Sequence, residues 1–282
     1  MGIKIKIKFL GTIAAEGGPA LFCNCSYCKE AQRRGGKDIR TRSQILINDD
    51  LLVDFPADTY LHKLQYNLDL SKIRYLLLTH SHHDHFYPED LFSRGEQNAY
   101  GMQEPILDIY SNFATKTLFD ERAKGRIQSS IANNLHFHVV NGFDKVKTAR
   151  YKIYALKAQH MKTENALFYL IQQGENAFLQ CNDTGLLFEE NYDYLEKLGV
   201  KVGVVCLDCT MGANENSYFG HMNLKECLQT VERMRKCTFV KEHTRFVLTH
   251  FSHNGGLLHD DYEKRCKPYK VEVAYDGMEL EL

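Results

Sequence analysis

Four side chains able to bind a metal, His80, His82, Asp84 and His85, fall within six residues, with His83 between them. Imidazole nitrogen suits zinc, iron or manganese, and a neighbouring carboxylate hardens such a site. Short histidine-rich tracts favour metal binding by composition alone, against the alternative of a polar surface turn. A second cluster, Cys23, Cys25 and Cys28, places three thiols in a C-x-C-x-x-C spacing. Thiolates at that density point to zinc, although a closed structural site wants four ligands and one is missing locally. A redox-active or incidental cluster is the other reading. Farther along, His160, Asp183 and His250 stand singly. Each alone would be a satisfied polar side chain; together they could complete what the first cluster begins.

The elements that must position these residues follow from the hydrophobic pattern. Residues 75–78 are an apolar run, a buried strand that ends directly at His80. A strand over 151–156 precedes His160, one over 177–181 ends just before Asp183, and one over 245–248 leads to His250. Residues 4–10 alternate as an opening strand, and 44–48 and 51–54 form a hairpin whose last residue, Asp54, is placed to orient a histidine. Further strands are expected over 105–110, 135–140, 166–172 and 200–207. Helices are expected over 59–68, 112–132 and 223–236. The last opens on a capping box of Asn223 and Glu226, with His221 just before it. His136 and His138 read as sheet residues, His243 and His259 as surface residues, Cys206 as core and Cys209 as loop. The basic stretch 29–42 reads as a solvated face, or as the source of an arginine for an anionic substrate. Residues 90–103 form a connector or a lid.

The 282-residue chain is 44% hydrophobic and 25% charged, ordinary for a soluble globular protein. Its 35 Lys and Arg against 36 Asp and Glu leave a net charge of −1, which gives no strong case for nucleic-acid or membrane binding. No apolar run reaches transmembrane length, and the alternating start does not resemble a signal peptide. Nine cysteines, an odd number, argue for a reducing cytoplasm rather than a disulfide framework. With no linker-like or repeated segment, the chain reads as one domain, 1–282.

His80-Ser81-His82-His83-Asp84-His85 is an H-x-H-x-D-H signature, preceded by Leu78-Thr79, with His160, Asp183 and His250 following in order. On these residues the chain resembles the metallo-β-lactamase superfamily, from Lys4 through the final strands. The resemblance implies an α/β fold, a four-layer αββα sandwich with a dinuclear metal site at one edge of its two sheets. It implies that His80, His82 and His160 hold one divalent metal, that Asp84, His85 and His250 hold the other, and that Asp183 bridges them. Zinc or manganese suits these ligands, with iron a third candidate. The C-x-C-x-x-C motif makes the chain similar to the phosphoribosyl cyclic phosphodiesterases of phosphonate breakdown. In that group a histidine three residues past the last catalytic one completes the thiol cluster, which implies a structural zinc held by Cys23, Cys25, Cys28 and His253. A catalytic histidine of the group falls on His221, the implied general acid, with Asp84 also counted as catalytic.

The expected activity is therefore hydrolysis of a small phosphodiester, a cyclic one included, by hydroxide generated at the metals. The expected partner is that small molecule, and a homodimer is compatible with the sequence. Rival readings are an RNA-processing endonuclease, although no long basic arm is present, and another ester or thioester hydrolase of the superfamily. A non-catalytic metal-binding protein is the third, which the complete ligand set argues against.

Overall fold

A computed structural model describes residues 4–95, 97–216 and 218–282. Its strands, in chain order, are β1 (Lys6–Gly11), β2 (Gln44–Ile47), β3 (Leu51–Val53), β4 (Tyr75–Leu77), β5 (Leu107–Ser111), β6 (Leu135–Val139), β7 (Lys145–Lys147), β8 (Lys152–Lys157), β9 (Leu167–Gln173), β10 (Asn176–Cys181), β11 (Val202–Asp208), β12 (Val240–Thr249), β13 (Val271–Val273) and β14 (Glu279–Glu281). Among the described residues they build two seven-stranded sheets, ordered β14-β1-β2-β3-β4-β5-β6 and β13-β12-β11-β10-β9-β8-β7. In each sheet the early hairpins pair antiparallel, while β3 to β6 and β10 to β13 run parallel.

The layering follows from which faces are apolar. Ile7, Phe9, Ile45 and Val53 of the first sheet pack against Ile153, Tyr169, Phe178 and Val247 of the second, so one core lies between the sheets. Leu52, Leu76 and Ile109 point the other way, as the two-residue period of a strand requires, and meet Phe119, Ala123 and Ile131. Those residues come from helices α3 (Phe113–Ala123) and α4 (Ser129–Ala132). The outer face of the second sheet, with Leu179, Val205 and Leu248, is covered by Leu195, Cys227, Val231 and Tyr262. These belong to α5 (Glu189–Leu198), α6 (Leu224–Met234) and α7 (His259–Cys266). Strands buried on both faces read as unbroken apolar runs, which is why 75–78 and 200–207 were visible in the sequence. The expected four-layer αββα sandwich is the fold observed.

Two smaller helices complete the list: α1 (Ser26–Arg34) carries Cys28, and α2 (Thr59–Tyr66) follows the first hairpin. The expected helix over 112–132 is two helices, because Lys124 and Gly125 interrupt it, Gly125 at φ +67°. The capping box of Asn223 and Glu226 forms with both of its hydrogen bonds at 2.9 Å. No helix among the described residues is long and apolar enough to cross a membrane.

Candidate metal centre

Every residue of the expected dinuclear set lies just beyond the C-terminal end of a strand: β4 for His80 to His85, β8 for His160, β10 for Asp183 and β12 for His250. Parallel strands open their C-terminal ends on one edge, where such folds collect ligands. Three of the side chains are aimed by an uncommon backbone: Asp54, Asp183 and His250 have φ of +65°, +50° and +54°. Non-glycine residues seldom occupy that left-handed region, and they concentrate at functional sites.

Two clusters result. His82 Nδ1 lies 2.9 Å from His80 Nε2 and 3.3 Å from His160 Nε2. In the second cluster His85 Nε2 lies 3.3 Å from both His250 Nε2 and Asp84 Oδ2. Asp183 stands between them, its Oδ1 3.6 Å from His160 Nε2 and its Oδ2 2.8 and 2.9 Å from His85 and His250 Nε2. One carboxylate oxygen therefore serves each cluster, the disposition that a bridging ligand needs.

The donor chemistry fits cations. His85 Nδ1 donates to Asp54 Oδ2 at 2.7 Å, His160 Nδ1 to Gly220 O at 3.2 Å, and His250 Nδ1 to Thr210 Oγ1 at 2.8 Å. His80 Nδ1 donates to Thr79 Oγ1 at 3.0 Å, and the Thr79 hydroxyl passes its own proton to Asp54. With Nδ1 of His80, His85, His160 and His250 so engaged, the Nε2 atoms of those four rings, and Nδ1 of His82, converge on one another and on Asp183. Asp183 Oδ2 is buried with no hydrogen-bond partner apart from those ring nitrogens. Either protons on those rings or a cation between them must offset the Asp183 charge, and a cation satisfies every donor atom at once. A tetrahedral ion with bonds of about 2.0–2.1 Å to nitrogen spaces its ligands roughly 3.3 Å apart, close to the spacings found.

The same crowding acts on protons. Burial pulls His85 down, but the Asp183, Asp54 and Asp84 carboxylates outweigh it and hold the imidazole well above its ordinary range. Burial likewise opposes His250, which Asp183 and Asp208 nevertheless push up to about 10. His80, buried and facing His85, moves well below its ordinary range.

Asp208, at the end of β11, is a site residue that the sequence reading passed over. Completely buried, it accepts from His221 Nδ1 at 2.9 Å, from the Asp183 amide at 3.1 Å and from the Thr210 amide at 3.0 Å. His250 Nδ1 lies 3.3 Å from it as well. Its signal is present in the sequence: an aspartate ending an apolar strand, as at Asp183, here flanked by the two thiols of a C-x-x-C. His221, held by Asp208, stacks parallel to His250 at 5.8 Å and lies 4.0 Å from Asp183 Oδ1. Burial lowers its pKa and the Asp208 charge more than restores it, so the net direction is upward. Glu164 is a second such residue: it accepts from Ser81 N and Oγ at 3.2 and 2.7 Å and from Asn112 Nδ2 at 2.9 Å, tying the histidine loop to the cap of α3.

The cysteine motif forms a separate cluster with His253. The three Sγ atoms and one His253 nitrogen all lie within 4.8 Å of one another. His253 Nδ1 is 3.7 Å from Cys25 Sγ and 3.6 Å from Cys28 Sγ, where a tetrahedral zinc with its usual bond lengths spaces nitrogen and sulfur at about 3.6 Å. Cys25 caps α1 and its thiol accepts from the Cys28 amide. The His253 hydrogen bond, with that of the amide, lowers the Cys25 thiol to about 6. So the fourth donor absent from the local sequence arrives from 225 residues away.

Other expectations sort as follows. Asp54 orients His85, as expected, and Cys206 is core. His138 pairs with Asp108 on an exposed sheet face and His83 is exposed, both outside the centre. His259 is not a surface residue: it is 2% exposed, and its Nδ1 accepts from Arg40 Nη2 at 3.0 Å. Arg40 is itself buried, donating also to Thr12 and Ala274 O, and Arg42 pairs with Asp58. The basic stretch thus spends two arginines on structure. Of the 90–103 segment, residue 96 lies outside the described residues; Arg94 within it donates to Ile73 O at 3.0 Å, packing the segment against the first sheet as a connector.

Two facing mixed sheets with helices outside, and a cluster of histidines and aspartates at their common edge, define a metal-dependent hydrolase of the αββα class. The sequence family described as the beta-lactamase superfamily domain matches residues 50–251. With more than half of its length so matched, the chain belongs to the metallo-β-lactamase superfamily. Among solved structures, a diphosphatase of the PhnP family is 20% identical and superposes with a TM-score of 0.75, over 99% of this chain and 98% of that one. Zn²⁺-bound PqqB from Methylobacterium extorquens is 16% identical, with a TM-score of 0.76 over 98% and 100% of the two chains. The short form of human tRNase Z is 16% identical, with a TM-score of 0.67 over 98% of each. No curated protein matches the sequence.

Proposed function

We propose that the chain is a dinuclear metal-dependent phosphodiesterase acting on a small phosphodiester, cyclic diesters included. The observation that carries this reading is the Asp183 carboxylate, which turns one oxygen toward the His80, His82 and His160 cluster and the other toward Asp84, His85 and His250. A shared carboxylate lets two cations sit close together, and zinc or manganese suits the nitrogen and oxygen set. When bound, such a pair activates water and offsets charge on the phosphoryl oxygens. A structural zinc on Cys23, Cys25, Cys28 and His253 is the third metal of this reading.

The chain's own groups supply the rest. Overall, the oxygen of water bonds to phosphorus, the ester P–O bond breaks, and the departing alkoxide takes a proton. His221 is the residue placed to give that proton: Asp208 holds its Nδ1, which leaves Nε2 free to act as the general acid. Asp208 plays toward His221 the part of an orienting carboxylate, fixing ring and tautomer and favouring the protonated form. Asp54, Thr79 and Thr210 hold the ligands' ring orientations so that no reorganisation is needed when the substrate arrives. A reducing cytoplasmic setting agrees with nine free cysteines, three of them in the zinc cluster.

The test is hydrolysis of bis(p-nitrophenyl) phosphate and of a cyclic nucleotide panel by the protein loaded with zinc or manganese. Asp183→Ala and Asp84→Ala should each abolish turnover, and His221→Ala should lower kcat more for a poor alkoxide leaving group than for nitrophenolate. Turnover that survives in Asp183→Ala would overturn the mechanism. The tRNA-processing reading gains no comparable support, since no basic arm projects from the fold among the described residues.

A further inference from the structure

The mouth of the metal centre carries two exposed aromatic rings and one exposed cation that the hydrolytic reading leaves without a task. Tyr218 lies parallel to His221, at 5.7 Å and 14°, and His221 lies parallel to His250, at 5.8 Å and 14°. The stack thus runs from a histidine that is 1% exposed out to a tyrosine that is 57% exposed. Next to it Phe219 is 46% exposed, and the Lys162 ammonium sits over its ring, 5.2 Å from the centroid.

This rim is fastened to the ligand loops. A Cβ on Gly220 would stand 2.8 Å from His160 Nδ1, and one on Gly185 would stand 2.4 Å from Phe219 O. Only glycine allows either approach. Gly220 O also accepts from His160 Nδ1. The segment that carries Tyr218 and Phe219 is therefore clamped between the loop of His160 and the loop of Asp183, and Lys162 follows His160 by two residues. Two adjacent exposed rings beside a cation make a patch able to take a ligand, and the patch adjoins the centre, since His221, on which Tyr218 stacks, has Nδ1 4.0 Å from Asp183 Oδ1.

Resting on the phosphodiesterase reading, we propose that Tyr218, Phe219 and Lys162 form a subsite for a nucleotide arm, with the base stacked on the two rings and a second phosphate of the same nucleotide held by Lys162. Any nucleobase offers a flat face to an aromatic side chain, and each such contact is worth roughly tenfold in binding. An exposed lysine adds a smaller, salt-sensitive contribution, on the order of twofold to fivefold. The substrate class is thus a small nucleotide diester with a charge beyond the scissile phosphate.

Three substrates built on one ribose 2′,3′-cyclic phosphate ring test this: the adenosine compound with a 5′-phosphate, the adenosine compound without it, and the methyl riboside. The metal-loaded wild type should show kcat/KM falling in that order. In Tyr218→Ala and Phe219→Ala the ratio between adenosine and methyl riboside should shrink by roughly tenfold. In Lys162→Ala the ratio between the compounds with and without the 5′-phosphate should shrink, and added salt should mimic that loss in the wild type. Equal kcat/KM for all three substrates in the wild type, or ratios untouched by the substitutions, would overturn the subsite. Calorimetric binding of adenosine 3′,5′-bisphosphate to the same metal-loaded proteins judges the rim without turnover. Binding that weakens in the variants supports the subsite even if no diester is hydrolysed, in which case the hydrolytic reading alone fails; binding that the variants do not change refutes the subsite.

Discussion

Asp54→Asn is the most informative single substitution, because it changes one charge and no volume. Asp54 accepts from the Thr79 amide at 2.9 Å, from the Thr79 hydroxyl at 3.0 Å and from His85 Nδ1 at 2.7 Å. Asparagine offers one acceptor oxygen and one NH₂. If the oxygen stays with the Thr79 amide, the NH₂ faces His85 Nδ1, and the imidazole must move its proton to Nε2 to accept it. That is the nitrogen 2.8 Å from Asp183 Oδ2, the one a metal would need unprotonated. The loss is one charge-assisted hydrogen bond, about 2 kcal/mol, or roughly thirtyfold in metal affinity. That lies within the range of about 10–100-fold usual for groups that orient metal-bound histidines. Competition titration against a chromophoric zinc chelator measures it, with His85→Ala as the limit of complete loss. Thermal unfolding of the metal-free proteins should differ by no more than a few degrees, and excess zinc should restore turnover in Asp54→Asn. Wild-type affinity in Asp54→Asn, beside a clear loss in His85→Ala, would refute the claim that Asp54 works through the His85 tautomer.

Three further predictions concern other parts of the molecule. Metal binding at pH 7 should release about two protons from the pair His85 and His250, whose imidazoles the carboxylates hold above their ordinary range. Binding enthalpies in buffers of different ionisation heat count those protons, and metal retention should fall as the pH falls. Cys25→Ser should remove about one metal per chain while leaving the dinuclear pair in place, and should lower Tm, since a structural site contributes to folding directly; elemental analysis with thermal melting reads both. Asp276 is half-buried, and desolvation raises its carboxyl from 3.8 to about 6 against its hydrogen bonds from Thr12 and Thr41. A folded-state pKa above the unfolded value means that stability is fully present below about 4 and is lost as the pH rises through about 6, by up to about 3 kcal/mol. Asp276→Asn, which cannot ionise, should gain on the wild type over that window in urea denaturation, and a constant difference between the two would contradict this.

The sequence by itself determined the candidate ligands and the class of fold. His80, His82, Asp84 and His85 lie in one turn after a buried strand, so their proximity is covalent in origin and legible without a structure. The strands beneath His160, Asp183 and His250 are buried on both faces and appear as apolar runs, which made their ends visible too. What the sequence did not determine was the support around those ligands. Asp208 meets His221 and His250 only because β10, β11 and β12 are parallel neighbours in one register, with Asp208 opposite Thr249. The same pairing places Asp183 and Asp208 at adjacent strand ends although 25 residues separate them. Strand order is a property of the whole sheet, and no local pattern encodes it. Tertiary structure likewise brought His253 to the three cysteines, buried Arg40 against His259, and clamped Tyr218 and Phe219 at the mouth of the centre. Local chemistry chose the atoms that can hold a metal; the packing of two sheets decided which protons those atoms keep and which way their rings face.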